Sequence, residues 1–187
     1  MNNKRCELVI PDAGPLITLA YAGRLDLLLA MHIKVIIIDM VKMELTRHKT
    51  ETSALILQFI VDNNIEIKTT DIGTNAIKQG ESFKKAHAGE RAIQDFLFDF
   101  YDENMNLPGA QKVALLLFED HKIAGTAFIL PDNVYAISTK AFLNRLETLK
   151  IIDSAQEVIN AAFLAGRHFS QRAVDNPPPA YPDMRPF

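Results

Sequence analysis

Residues Val113-Ala114-Leu115-Leu116-Leu117-Phe118 are apolar at every position. A strand with one wet face alternates apolar and polar residues. A strand covered on both faces does not, and parallel sheets wrapped by helices are covered on both faces. Val35-Ile36-Ile37-Ile38 is β-branched throughout and reads the same way. Leu8-Val9-Ile10, Ile65-Glu66-Ile67 and Val134-Tyr135-Ala136-Ile137 complete a set of five strand candidates. Helical patterns separate them. One carries Leu16, Ile17, Leu19 and Ala20 behind Pro15, ends at Gly23, and is followed by a short helix through Leu25, Leu28 and Leu29.

Val41, Met43, Glu44 and Leu45 mark the next helix, and Ala54, Leu55, Leu57, Phe59 and Ile60 another. Residues 71–88 read as a weak helix broken at Gly80. Ala92, Ile93, Phe96, Leu97 and Phe100 share one helical face, and residues 102–111 read as a connection. Two helices close the chain, around Ala141 to Leu146 and Ala155 to Ala162. Strand and helix in alternation predict an α/β fold of three layers, α/β/α, around a central, mainly parallel sheet. The expected organisation is an α/β domain over residues 1–166 and a tail over 167–187. That tail holds five prolines and is expected to be extended unless something holds it.

Composition narrows the function classes. The chain is 48% apolar and 23% charged, which is ordinary for a globular protein. One cysteine, Cys6, supports neither a disulfide framework nor a thiolate zinc cluster. A net charge of −3 counts against a broad basic face for nucleic acid, though not against a local one. The apolar segment near the start is too short for a signal peptide, and no apolar run is long enough for a membrane span. The expectation is a cytoplasmic protein with no membrane partner.

In open parallel sheets the working site lies beyond the carboxyl ends of the strands. Asp12 and Asp120 each follow an apolar strand within two residues, so both are expected in one crevice. At about 100° per residue, Glu90 sits beside Ile93 and Leu97 at the border of its helix's apolar face, and Glu44 holds a similar place beside Val41 and Leu45. Asp95 points away from that face, and Asp99 lies on the border opposite Glu90. Crowded carboxylates repel one another, and hard oxygen ligands suit Mg²⁺ or Mn²⁺, singly or as a pair. Such a metal can orient a phosphodiester, activate a water and stabilise a leaving oxygen. Each acid alone also has an ordinary role: Asp12 in the turn before Pro15, Asp120 as a helix cap, Glu90 against a helix dipole. Arg91, His121, Lys122, Ser138 and Thr139 are further candidates for RNA contact, with helix capping an equal use for the last two.

The order of four motifs resembles the PIN domain family. Val9-Ile10-Pro11-Asp12-Ala13-Gly14-Pro15-Leu16-Ile17 is similar to the opening strand with its aspartate, and Val41-Lys42-Met43-Glu44-Leu45 to the second motif. Gly89-Glu90-Arg91-Ala92-Ile93 resembles the third, and Leu115-Leu116-Leu117-Phe118-Glu119-Asp120 the fourth, where an acidic pair ends a strand. Gly14 stands where the family often has a hydroxyl or amide side chain. The resemblance implies a ribonuclease that binds Mg²⁺ or Mn²⁺ through Asp12, Glu44, Glu90 and Asp120. It further implies a homodimer, and the toxin of a toxin–antitoxin pair with an antitoxin protein as partner. Two other readings compete. One is a non-catalytic scaffold of the same fold that binds RNA or protein. The other is a phosphoacceptor domain using Ser138-Thr139-Lys140, disfavoured because the acidic pair Glu119-Asp120 comes late in the chain.

Overall fold

The structure, a computed structural model, describes residues 5–83, 87–105, 112–119, 129–169 and 175–176. Five parallel strands form its centre: β1 (Arg5–Pro11), β2 (Lys34–Ile38), β3 (Glu66–Lys68), β4 (Lys112–Phe118) and β5 (Val134–Ser138). A two-residue strand, β6 (Asp175–Asn176), pairs antiparallel with β5, so the sheet order is β3-β2-β1-β4-β5-β6. Seven α-helices flank the sheet among the described residues: α1 (Ala13–Tyr21), α2 (Asp39–Thr46), α3 (Glu51–Asp62), α4 (Asp71–Gln79), α5 (Ala88–Met105), α6 (Thr139–Thr148) and α7 (Ala155–Leu164). α1 packs on α3 and α7, and α7 on α6, while α2, α4 and α5 pack on one another and α2 also meets α1. The result is the expected three-layer α/β/α arrangement.

The sequence signals act locally as physics requires. Every residue of β4 after Lys112 is buried, which is why the run carries no polar alternation. Pro15 is tolerated because it lies in the first turn of α1, where amides have no partner within the helix. Gly23 takes φ +65° just after that helix, a left-handed turn that leads into a 3-10 turn at Leu25–Leu29. Gly80 takes φ +55° and ends α4, as the break in the pattern predicts. One boundary differs. α5 continues to Met105 through residues expected to begin a connection, and Asn104 donates to the Phe100 carbonyl at 2.6 Å within the helix. The rest of that expected connection lies outside the described residues.

The order of the strands decides where a site can form. From β1 the chain fills one side of the sheet with β2 and β3, then starts again on the other side with β4 and β5. Successive connections therefore leave β1 and β4 in opposite directions, which opens a crevice at their carboxyl ends. The two strands stay in register to their ends, Ile10 opposite Leu116 and Pro11 opposite Leu117. The Asp12 amide adds one more rung, donating to the Leu117 carbonyl at 2.9 Å. Cys6 is buried at the far end of β1, where burial pushes its thiol up to about 12 and keeps it protonated. Among the described residues no helix is long and apolar enough to cross a membrane.

Candidate active site at the ends of β1 and β4

A cleft of about 850 Å³ opens at this switch point. Asp12, Glu44, Glu90 and Glu119 all line it. Each arrives on a different element. Asp12 is the residue between β1 and α1, Glu44 lies in α2, Glu90 is the third residue of α5, and Glu119 follows β4 directly. Three of the four acids expected from the sequence are thus brought to one cleft. Asp120, together with His121 and Lys122, lies outside the described residues.

Asp12 is the electrostatic centre of the group. It occupies the N-cap position of α1, yet its side chain makes no capping bond. Burial is the first cause that raises its carboxyl, up to about 7, with the charges of Glu44, Glu90 and Glu119 adding to the rise. The Ala13 amide offsets part of this. Glu44 is exposed, with its carboxylate beside Gly89. Glu90 is held by His87, whose Nδ1 lies 2.8 Å from Glu90 Oε2. His87 adopts φ +56°, a strained backbone for a residue other than glycine, at the rim of the cleft.

Glu119 is the most firmly held of the four. Its side chain is only 8% exposed. Thr139 Oγ1 donates to Oε1 at 2.9 Å, and Arg167 Nη2 donates to Oε2 at 2.8 Å. Arg167 is in turn fixed by its Nε, which donates to Thr18 Oγ1 at 3.0 Å. Gly14 makes the arrangement possible. A Cβ at that position would lie 2.9 Å from Glu119 Cβ and 3.1 Å from its Oε2. The absence of a side chain at residue 14 is therefore the space in which Glu119 sits.

Gly14 lies in a helical first turn, so alanine fits its backbone and only the contact opposes it. We expect Gly14→Ala to cost about 1–3 kcal/mol through overpacking, against a propensity gain of about 1 kcal/mol. Gly89→Ala is the control. Its methyl would meet only the exposed tip of Glu44 at 3.3 Å, so it should be neutral or stabilise by up to about 1 kcal/mol. Urea melts compare the two, and equal effects would mean that Glu119 does not press on Gly14.

The remaining sequence candidates have other places. Arg91 is exposed on α5 and does not line the cleft. Ser138 is buried and caps α6 by accepting from the Ala141 amide at 3.2 Å. Thr139 reaches the site only as an anchor of Glu119. Asp95 and Asp99 are exposed on α5 and line a separate cleft with Lys68 and Thr70. Residues that sequence reasoning did not single out include Arg167, His168 and Phe169, which form a wall of the cleft, and Arg47 and His87 at its rim.

No family model, no curated protein and no solved structure matches this chain. The site is therefore read from its own chemistry. Oxygen-only donors crowded around Asp12 suit a hard divalent cation in kind. Among the described residues, however, no group of three or more His, Cys, Asp or Glu stands ready to hold a metal ion. Glu119 already has a cation beside it in Arg167. Among the described residues, Asp12, Glu44 and Glu90 are the lining acids that form no ion pair with a lysine or arginine.

Proposed function

We propose that this cleft is the active site of a divalent-metal-dependent ribonuclease that hydrolyses RNA phosphodiester bonds. The observation that carries the proposal is the crowding at the switch point, where the Asp12 carboxyl is pushed up to about 7 by burial and by three glutamates. Such crowding is unfavourable for folding and is characteristic of functional sites. Asp12, Glu44 and Glu90 are the described residues that would hold Mg²⁺ or Mn²⁺, with Asp120 added by the family resemblance. When bound, the cation would orient the phosphodiester, favour ionisation of a water and neutralise the leaving oxygen. His87 would keep the Glu90 carboxylate turned in one direction, through the bond it makes at 2.8 Å. Thr139 and Arg167 would keep Glu119 from moving into the metal site. The same resemblance extends the proposal to a cytoplasmic homodimeric toxin neutralised by an antitoxin. Growth arrest on expression and the solution mass of the purified chain test those two points.

Mn²⁺ binding followed by electron paramagnetic resonance tests the metal directly, without knowledge of the substrate. Asp12→Asn and Glu90→Gln are each expected to weaken binding at least about tenfold, since even outer-shell partners of a metal ligand are worth ten- to a hundredfold. Cleavage of a single-stranded transcript should require the metal and be lost in Asp12→Asn. A second reading, a non-catalytic scaffold, is favoured by one observation: Arg167 already neutralises Glu119 at 2.8 Å. A folded parent that fails to bind Mn²⁺ would select that reading.

A further inference from the structure

An acidic cleft repels a phosphodiester, so a strand that enters it needs a cation and an apolar surface on at least one wall. The three consecutive residues after the α7 turn, Arg167, His168 and Phe169, supply both and all line the cleft. The Arg167 guanidinium is anchored twice, on Thr18 Oγ1 and on Glu119 Oε2. It is nevertheless 24% exposed, against 8% for its partner Glu119. A guanidinium carries five N–H donors in a rigid plane, so two anchors orient it and leave donors for an incoming oxyanion. Beside it, Phe169 is partly buried and stacks on Phe163 with ring centroids 5.4 Å apart and planes at 15°. His168 is exposed and packs against the same Phe163 ring at 5.8 Å. The aromatic rings are therefore supported from behind, and their orientation does not depend on a ligand. A cation next to supported aromatic rings is the surface that an unpaired nucleotide fits, its phosphate on the cation and its base on a ring.

We propose that Arg167, His168 and Phe169 form the strand-binding wall of the cleft, with Arg167 taking a phosphate and Phe169 and His168 taking the adjoining unpaired base. This rests on the nuclease reading for what happens to the strand, but the wall binds by its own groups. It makes single-stranded nucleic acid the substrate class, because paired bases hide the faces that the rings require. It also assigns work to the start of the segment expected to be a mere tail, and the β6 pairing with β5 at Asp175–Asn176 ties that segment back to the sheet.

Fluorescence anisotropy with a labelled twelve-nucleotide oligouridylate, read in chelator and in calcium across a series of salt concentrations, tests the wall on the full chain. Arg167→Gln should weaken binding and lower the salt slope by about 0.7, the loss of one phosphate contact on a single strand. Arg167→Lys keeps the charge, so it should keep the parent's slope while binding less tightly than the parent. Phe169→Leu keeps packing on Phe163 but removes the ring. It should weaken binding about fivefold or more with the slope unchanged. A duplex of the same length should bind more weakly than the single strand. Thermal melts confirm that each variant is folded, and Arg167→Lys and Phe169→Leu carry the test if Arg167→Gln is not. Folded variants that bind as the parent does, a parent that binds no oligonucleotide, or a duplex that binds as well as the single strand would overturn the wall. If the parent still binds Mn²⁺ through Asp12 in that case, the metal-dependent reading stands without it. If wall-dependent binding is found with no Mn²⁺ site, the wall stands and the hydrolytic reading falls.

Discussion

In chelator above pH 7, Asp12→Asn is expected to be more stable than the parent by about 4–5 kcal/mol. The Asp12 carboxyl ionises at about 7 in the folded protein, against an ordinary value of 3.8. Below about pH 4 both states hold the proton, and the residue imposes no penalty. Between about pH 4 and 7 the unfolded chain loses its proton while the folded chain keeps it, so rising pH favours unfolding. Above about 7 both states are ionised and the penalty reaches its full size, at about 1.4 kcal/mol for each unit between the two values. Asparagine cannot ionise, so the advantage of Asp12→Asn should grow across that window and level off above it. Saturating Mn²⁺ should reverse the order, because a cation that binds only the folded parent stabilises it by mass action. Denaturant melts from pH 4 to 8, with and without the metal, check both statements. A difference between the two proteins that does not change with pH would show that Asp12 is not crowded.

Much of this site is legible in the sequence because it depends on periodicity and on strand ends. The all-apolar run in β4 and the β-branched run in β2 identify the parallel sheet, and the site rule for such sheets then selects Asp12. Glu44 and Glu90 could be placed because a helix fixes the direction of each side chain to about 100° per residue. The acidic pair Glu119-Asp120 is less legible. Past the end of a strand the alternation of side chains no longer holds, so the sequence alone does not say which of two adjacent acids faces the crevice. A signal did exist in Gly14, since a missing side chain in the first turn of α1 marks the close approach of another residue. Arg167 had no such signal. It is 149 residues from Thr18 and 48 from Glu119, and no local pattern records contacts of that separation.

Gly73→Ala is the second large effect, expected to cost about 3–5 kcal/mol without touching the cleft. Asp39 also follows a strand end, at β2, yet it does not line the cleft. Its carboxylate accepts from the Thr70 amide at 2.8 Å, the Thr70 hydroxyl at 2.9 Å and the Met40 amide at 2.8 Å. It thereby ties α2 to the start of α4, where Thr70 is the cap and donor groups converge. Gly73 lies directly against this carboxylate, and a Cβ there would come within 2.8 Å of Oδ1 and closer still to Oδ2. The carboxylate cannot retreat without breaking bonds to a charged acceptor, each worth about 1.5–3 kcal/mol. Overpacking adds about 1–3 kcal/mol if it stays. The mechanism makes a further demand. With Asp39→Ala the carboxylate is gone, so the added methyl has nothing to strike. The double variant should then be no less stable than Asp39→Ala alone, a non-additivity of several kcal/mol in a double-mutant cycle. If the two costs add instead, the glycine is required for some reason other than Asp39. If Mn²⁺ binding by folded Asp39→Ala falls as far as in Asp12→Asn, Asp39 belongs to the metal site rather than to the frame that supports it.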